Sequence, residues 1–133
     1  MINRKTIKIT DTQNYSSHKD SNETIVNATI GIRNGTTYIK YTECEDGLHT
    51  NTLIKIKNGM VMVKREGAVN IQYEFQNGKS YSMMYPTPYG EMLMKMVTYG
   101  LSFDEIPLKL HIEYEIFIND LKSSENTFTI EQI

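Results

Sequence analysis

The chain has a single cysteine in 133 residues. Cys44 therefore has no partner for an intrachain disulfide, and a four-thiolate zinc site within one chain is excluded. Positive charge is not in excess either. Fourteen Lys+Arg stand against sixteen Asp+Glu, a net charge of -2, so the balance points away from nucleic acid. No apolar run approaches the roughly 20 residues that span a bilayer. The opening residues, Met-Ile-Asn-Arg-Lys-Thr-Ile-Lys-Ile, alternate in polarity and lack the apolar core of a secretory signal. A cytoplasmic protein with no membrane partner is expected. A Gly-rich phosphate loop, a zinc motif and a Ser-His-Asp pattern are also missing, so no cofactor, metal ligand or catalytic residue is predicted. What remains is 39% hydrophobic and 23% charged, the balance of a soluble domain. The length suits a single core spanning residues 1–133.

Turn chemistry is the strongest local signal. Asn-Gly stands at 34–35, 58–59 and 77–78, and Asp-Gly at 46–47. Both central residues of a type I′ turn need positive φ, which Asn, Asp and Gly adopt at least cost. Each pair lies between segments of alternating polarity. Strands are predicted near 4–15, 22–33, 36–45, 48–57, 60–66, 69–76, 79–85, 91–101, 108–119 and 125–132. The segment 90–101 is rich in Met and Leu, which favour helix. Its Met92, Met94, Met96 and Thr98 alternate with Leu93, Lys95, Val97 and Tyr99, which suits a strand.

Two-residue hairpins also fix register, because the residues flanking the turn face each other and pairing runs outward. Arg33 should oppose Thr36, Glu45 should oppose Leu48, and Lys57 should oppose Met60. The three registers agree and build rows across four strands: Ile32–Thr37–Ile56–Val61, Ile30–Ile39–Ile54–Val63 and Ala28–Tyr41–Thr52–Arg65, with Val26–Glu43–Thr50 beyond. The other face carries Lys40, Lys55, Lys57 and Lys64, so the Ile/Val face is the inner one. Val69, Ile71, Tyr73 and Phe75 continue the alternation, as do Leu108, Leu110, Ile112 and Tyr114. About ten antiparallel strands in hairpin order protect their edges best by closing into an up-and-down barrel. A two-sheet sandwich is the alternative.

Several stretches resemble the YwiB-like family of small bacterial proteins. They are Tyr38-Ile-Lys-Tyr-Thr-Glu43, Val61-Met-Val-Lys-Arg-Glu-Gly67, Tyr85-Pro-Thr-Pro-Tyr-Gly90 with its following methionines, and Ile112-Glu-Tyr114. The resemblance runs through nearly the whole chain, and Thr-Pro-Tyr-Gly is its most specific part. It implies an all-β fold, a calycin-like, lipocalin-like antiparallel barrel of about 8–10 strands, in a bacterial cytoplasm. It implies no activity and no catalytic residues. Calycin-like barrels often hold small apolar ligands, but a fold shared by many functions does not assign one.

The inner face divides into an apolar end and a polar end. Tyr41, Glu43, Thr50, Thr52 and Arg65 gather at the latter. An inward Arg and an inward Glu are costly unless paired and hydrogen-bonded. Glu43 and Arg65 lie two strands apart, so a direct pair needs the long Arg side chain and the barrel's twist. One reading is a structural network that plugs the barrel. The other is a ligand-binding mouth in which Arg65 holds a carboxylate or phosphate while Tyr41 and Thr52 add hydrogen bonds. Met84, Met92, Met94 and Met96 are expected to face inward with Tyr73, Phe75 and Tyr114. They either fill an irregular core or line an adaptable pocket. In the Pro-rich turn, Tyr85, Thr87 and Tyr89 form a shaped corner or a rim. Cys44 and His49 should face each other on the outside, without a third group to make a catalytic set. The leading expectation is a non-catalytic binding module for a small, partly apolar ligand inside the barrel, its acidic head on Arg65. The alternative is a protein-interaction or regulatory barrel with a filled interior; a homodimer is compatible with either.

Overall fold

The structure, a computed structural model, describes residues 2–67 and 70–133. Ten strands follow one another: β1 (Ile2–Asn14), β2 (Lys19–Arg33), β3 (Thr36–Glu45), β4 (Leu48–Lys57), β5 (Met60–Glu66), β6 (Ile71–Gln76), β7 (Ser80–Thr87), β8 (Gly90–Asp104), β9 (Lys109–Ile118) and β10 (Leu121–Gln132). They form one sheet in the order β6-β5-β4-β3-β2-β1-β10-β9-β8-β7, every pair antiparallel. The sheet curls into a nearly closed barrel. A single continuous sheet rules out the sandwich.

Three of the four Gly turns behave as their chemistry demands. Asn34, Asp46 and Asn58 have φ of 53°, 52° and 51°, each followed by a Gly with φ of 76° to 78°. Arg33 opposes Thr36, Ile39 opposes Ile54, and Thr52 opposes Arg65, as counting outward from the turns requires. The Asn77-Gly78 pair does not close a hairpin. Only Gly78 has positive φ there, and β6 and β7 are the two free edges of the sheet. Gly78 N instead donates to Thr98 O at 2.8 Å, so the turn serves β8. Tyr81 Oη donates to Gln72 O at 3.3 Å and bridges the edges. A further two-residue turn, Asn119-Asp120, has φ of 48° and 67° and joins β9 to β10 without any glycine.

The core fills one end of the barrel. Ile7, Ile39, Ile54, Leu110, Ile112 and Ile130 are each fully buried. Burying one such side chain stabilises by about 1.5–3 kcal/mol. Phe75 packs on Tyr114 with ring centroids 4.7 Å apart. Two bulges adjust the alternation. Tyr99 stands unpaired between Thr98↔Tyr114 and Gly100↔Glu113, so the inward set passes from Met96 and Thr98 to Leu101 and Phe103. A similar slip falls between Lys122 and Ser124.

Two expectations need correction, and one lies outside the described residues. Met84 points outward and is 53% exposed, while Met83 packs against the core. The reason is the two-residue connection Pro88-Tyr89, which sets Thr87 opposite Gly90 and therefore Met83 opposite Met94. The predicted Ala28–Tyr41 and Val26–Glu43 pairs do not form. The β2–β3 ladder stops at Thr29↔Lys40, while β2 continues along β1 as far as Lys19. The two strands splay there, because barrel closure tilts strands and limits how far each pair can run together. Val69 lies outside the described residues.

Candidate functional site: a polar mouth with two chambers

The splay of β2 from β3 opens the polar end of the barrel. An outer chamber of about 420 Å³ lies there, with Asn22 and Thr24 on one lip and Glu43, Glu45 and Asp46 on the other. An inner chamber of about 300 Å³ continues into the barrel. Its apolar wall includes Val63, Phe75, Met94, Met96 and Ile116, and Tyr73, Tyr85 and Tyr114 add hydroxyls. Asp11, Thr50, Arg65 and Phe128 line both chambers. Two other depressions, of about 290 and 420 Å³, lie at the opposite end around Ile106-Pro107 and the Gly35 and Gly59 turns.

Arg65 reaches this position because β5 alternates Val61, Val63, Arg65 on its inner face. Asp11 arrives by the same rule on β1, after Ile7 and Ile9. Among the described residues neither side chain closes an ion pair or a side-chain hydrogen bond. Among the described residues no carboxylate lies within 4.0 Å of Arg65, and Asp11 has no ion pair. Among the described residues, the buried Asp11 Oδ1 and Arg65 Nε have no hydrogen-bond partner. Buried polar groups are nearly always satisfied, so this concentration at one end marks the mouth as different from the rest of the molecule.

The electrostatics agree. Burial pushes the Asp11 carboxyl above the ordinary carboxylate range, and the Arg65 charge pulls it partly back. Burial disfavours the Arg65 cation, but Tyr73, Tyr41, Glu43 and Asp11 together outweigh that and raise it. Burial raises the Tyr41, Tyr73 and Tyr114 phenols, so they act as neutral hydroxyls. Nearby Asn126 shows what a structural polar group looks like. It is buried, with Nδ2 donating to Ser124 Oγ at 3.0 Å and to Tyr114 O at 3.5 Å.

The residues singled out from the sequence fall into distinct places. Arg65, Tyr73, Met94, Met96 and Tyr114 line the inner chamber, and Glu43 lines the outer one. Tyr41 and Thr52 are buried in the wall and line neither. Met92 lies beyond Met94 on the same row, outside both chambers. The Pro-rich turn divides. Tyr85 lines the inner chamber. Thr87 Oγ1 instead braces its own turn, donating to Gly90 O and accepting from Tyr89 N. Tyr89 is 100% exposed and belongs to no cavity. The expected reach of Arg65 to Glu43 does not close into an ion pair. Cys44 and His49 are cross-strand neighbours, both exposed. No group of three or more His, Cys, Asp or Glu among the described residues is placed to hold a metal ion.

Residues 7–130 match the family model described as "Domain of unknown function (DUF1934)". The chain is similar to the "Uncharacterized beta-barrel protein YwiB" of Bacillus subtilis (strain 168), 28% identical over 101 residues, covering 74% of this chain and 71% of that protein. Its fold is similar to the crystal structure of the ywiB protein from Bacillus subtilis. That match has a TM-score of 0.77 at 22% identity and covers 99% of this chain and 93% of the other.

Proposed function

The chain belongs to the DUF1934 family, and from that premise we propose that it is a non-catalytic binding module for a small, partly apolar ligand held inside the barrel. One observation carries the proposal. Arg65 and Asp11 line both chambers of the mouth, half-buried and without an ion pair or side-chain hydrogen bond among the described residues. Leaving the buried Arg65 Nε without a hydrogen-bond partner carries a cost. A ligand that engages it recovers that cost, and Arg offers planar, bidentate recognition of a carboxylate or phosphate. The inner chamber, at about 300 Å³, reaches the lower end of the scale of small-molecule sites and has a largely apolar and aromatic wall, while the outer chamber is mostly polar.

Native mass spectrometry of protein purified gently from a bacterial cytoplasm, compared with its denatured mass, tests this. The expected result is a discrete extra mass that is lost on denaturation and reduced in Arg65→Ala. A mass equal to the bare chain or to whole multiples of it, even after gentle purification, counts against a resident ligand. It would favour the alternative, an interaction barrel. A specific observation favours that second reading: Met84 and Leu93 are cross-strand neighbours on the outer face, 53% and 36% exposed.

A further inference from the structure

The inner chamber carries one positive and one negative side chain, Arg65 and Asp11. They attract each other through space but do not close to an ion pair. This arrangement selects among head groups. A lone carboxylate on Arg65 would also meet the field of Asp11 and, from the outer chamber, of Glu43. A lone ammonium on Asp11 would meet the field of Arg65. A molecule bearing both signs side by side answers both poles at once, and complementary placement of charge is what fixes orientation in such a site. Beyond the two charges the wall turns apolar and aromatic, with Phe75, Met94, Met96 and Ile116. About 300 Å³ of space suits one large side chain, because it lies at the lower limit for ligand pockets. Methionines let such a wall adapt to the shape it receives.

We propose that the inner chamber binds a free α-amino acid with a large apolar side chain, its carboxylate on Arg65, its ammonium on Asp11, and its side chain among the methionines. This rests on the binding-module reading and sharpens its ligand class from an acidic head to a zwitterionic one.

Isothermal titration calorimetry on the full chain separates the two levels, with three probes of one skeleton: L-phenylalanine, 3-phenylpropionate, which lacks the ammonium, and 2-phenylethylamine, which lacks the carboxylate. L-phenylalanine should bind at least about tenfold more tightly than either, since each deletion removes a charge-assisted contact. Asp11→Asn should erase the preference for L-phenylalanine over 3-phenylpropionate, with binding of the latter kept or strengthened because a like charge beside its carboxylate is gone. A merely structural role for Asp11 would lower both together, and that outcome overturns the assignment. If 3-phenylpropionate binds as tightly as L-phenylalanine, the zwitterion is wrong and the acidic-head module stands. If none of the three binds, the amino-acid inference fails, and the mass measurement on cell-purified protein decides the module reading separately.

Discussion

Along the inner face of β4, Ile56 and Ile54 give way to Thr52 and Thr50; along β5, Val61 and Val63 give way to Arg65; along β1, Ile7 and Ile9 give way to Asp11 and Gln13. The same strands thus build two different interiors. At the apolar end most side chains meet others of their kind, and the buried Thr37 hydroxyl is satisfied by donating to Glu105 at 3.2 Å. At the mouth the polar groups divide again. Asn126 and Ser124 bond to each other, and Asn126 to the backbone, whereas Arg65 and Asp11 make no ion pair or side-chain hydrogen bond among the described residues. The lesson is that inward polarity alone does not mark a site. Inward polarity without partners, beside open volume, does.

Substitutions can break or sharpen this contrast. The largest effect belongs to the apolar end: Ile54→Ala removes a fully buried side chain and should cost about 2–5 kcal/mol in urea unfolding. Next is Gly67→Ala at the mouth. A Cβ there would collide with the His49 carbonyl oxygen and crowd Thr50, so a loss of about 1–3 kcal/mol is expected, read by the same unfolding curve. Arg65→Met should change stability by less than about 1 kcal/mol, because no partner is abandoned. A loss comparable to that of Ile54→Ala would make Arg65 a plug and erase the contrast. The smallest effect is a pH dependence. Burial raises the folded-state Asp11 carboxyl above its unfolded value, so the native state binds the proton more tightly. Stability is therefore lost as pH rises from the ordinary Asp range through the raised value. Asp11→Asn should match the parent in acid and be the more stable at neutral pH, as denaturant midpoints taken at pH 3 and pH 7 would reveal.

Much of this was legible before any coordinates. Asn34, Asp46 and Asn58 with their glycines dictate three hairpins, because few other residues tolerate positive φ twice running. From them the rows that end in Arg65 follow by counting. Asp11 was equally open to counting, two places beyond Ile9, but a charged residue after an apolar pair reads as a strand running out into solvent. Met84 fell on the wrong face because the Pro88-Tyr89 connection carries no glycine pair to announce a two-residue turn. The splay between β2 and β3 had no local signature. Val26 and Ala28 keep the inward alternation past the point where pairing stops, and only the tilt of a closing barrel ends the ladder. The outer chamber exists because of that splay, so the part of the site that opens to solvent was the part hidden from the sequence.

The strand order has a consequence for how the chain acquires its shape. Every ladder in the sheet joins neighbours in sequence except one, β1 with β10. The run from β1 to β6 and the run from β7 to β10 can therefore each zip up from local turns, at little loop-closure cost. The pairing with the largest loop-closure cost is that of the first and last strands, which brings Ile9 to Ile130 and Asp11 to Phe128. Until it happens Asp11 and Arg65 share no wall with Phe128. The mouth thus depends on the one long-range pairing of the sheet, and a chain with an intact mouth is a chain whose two halves have met.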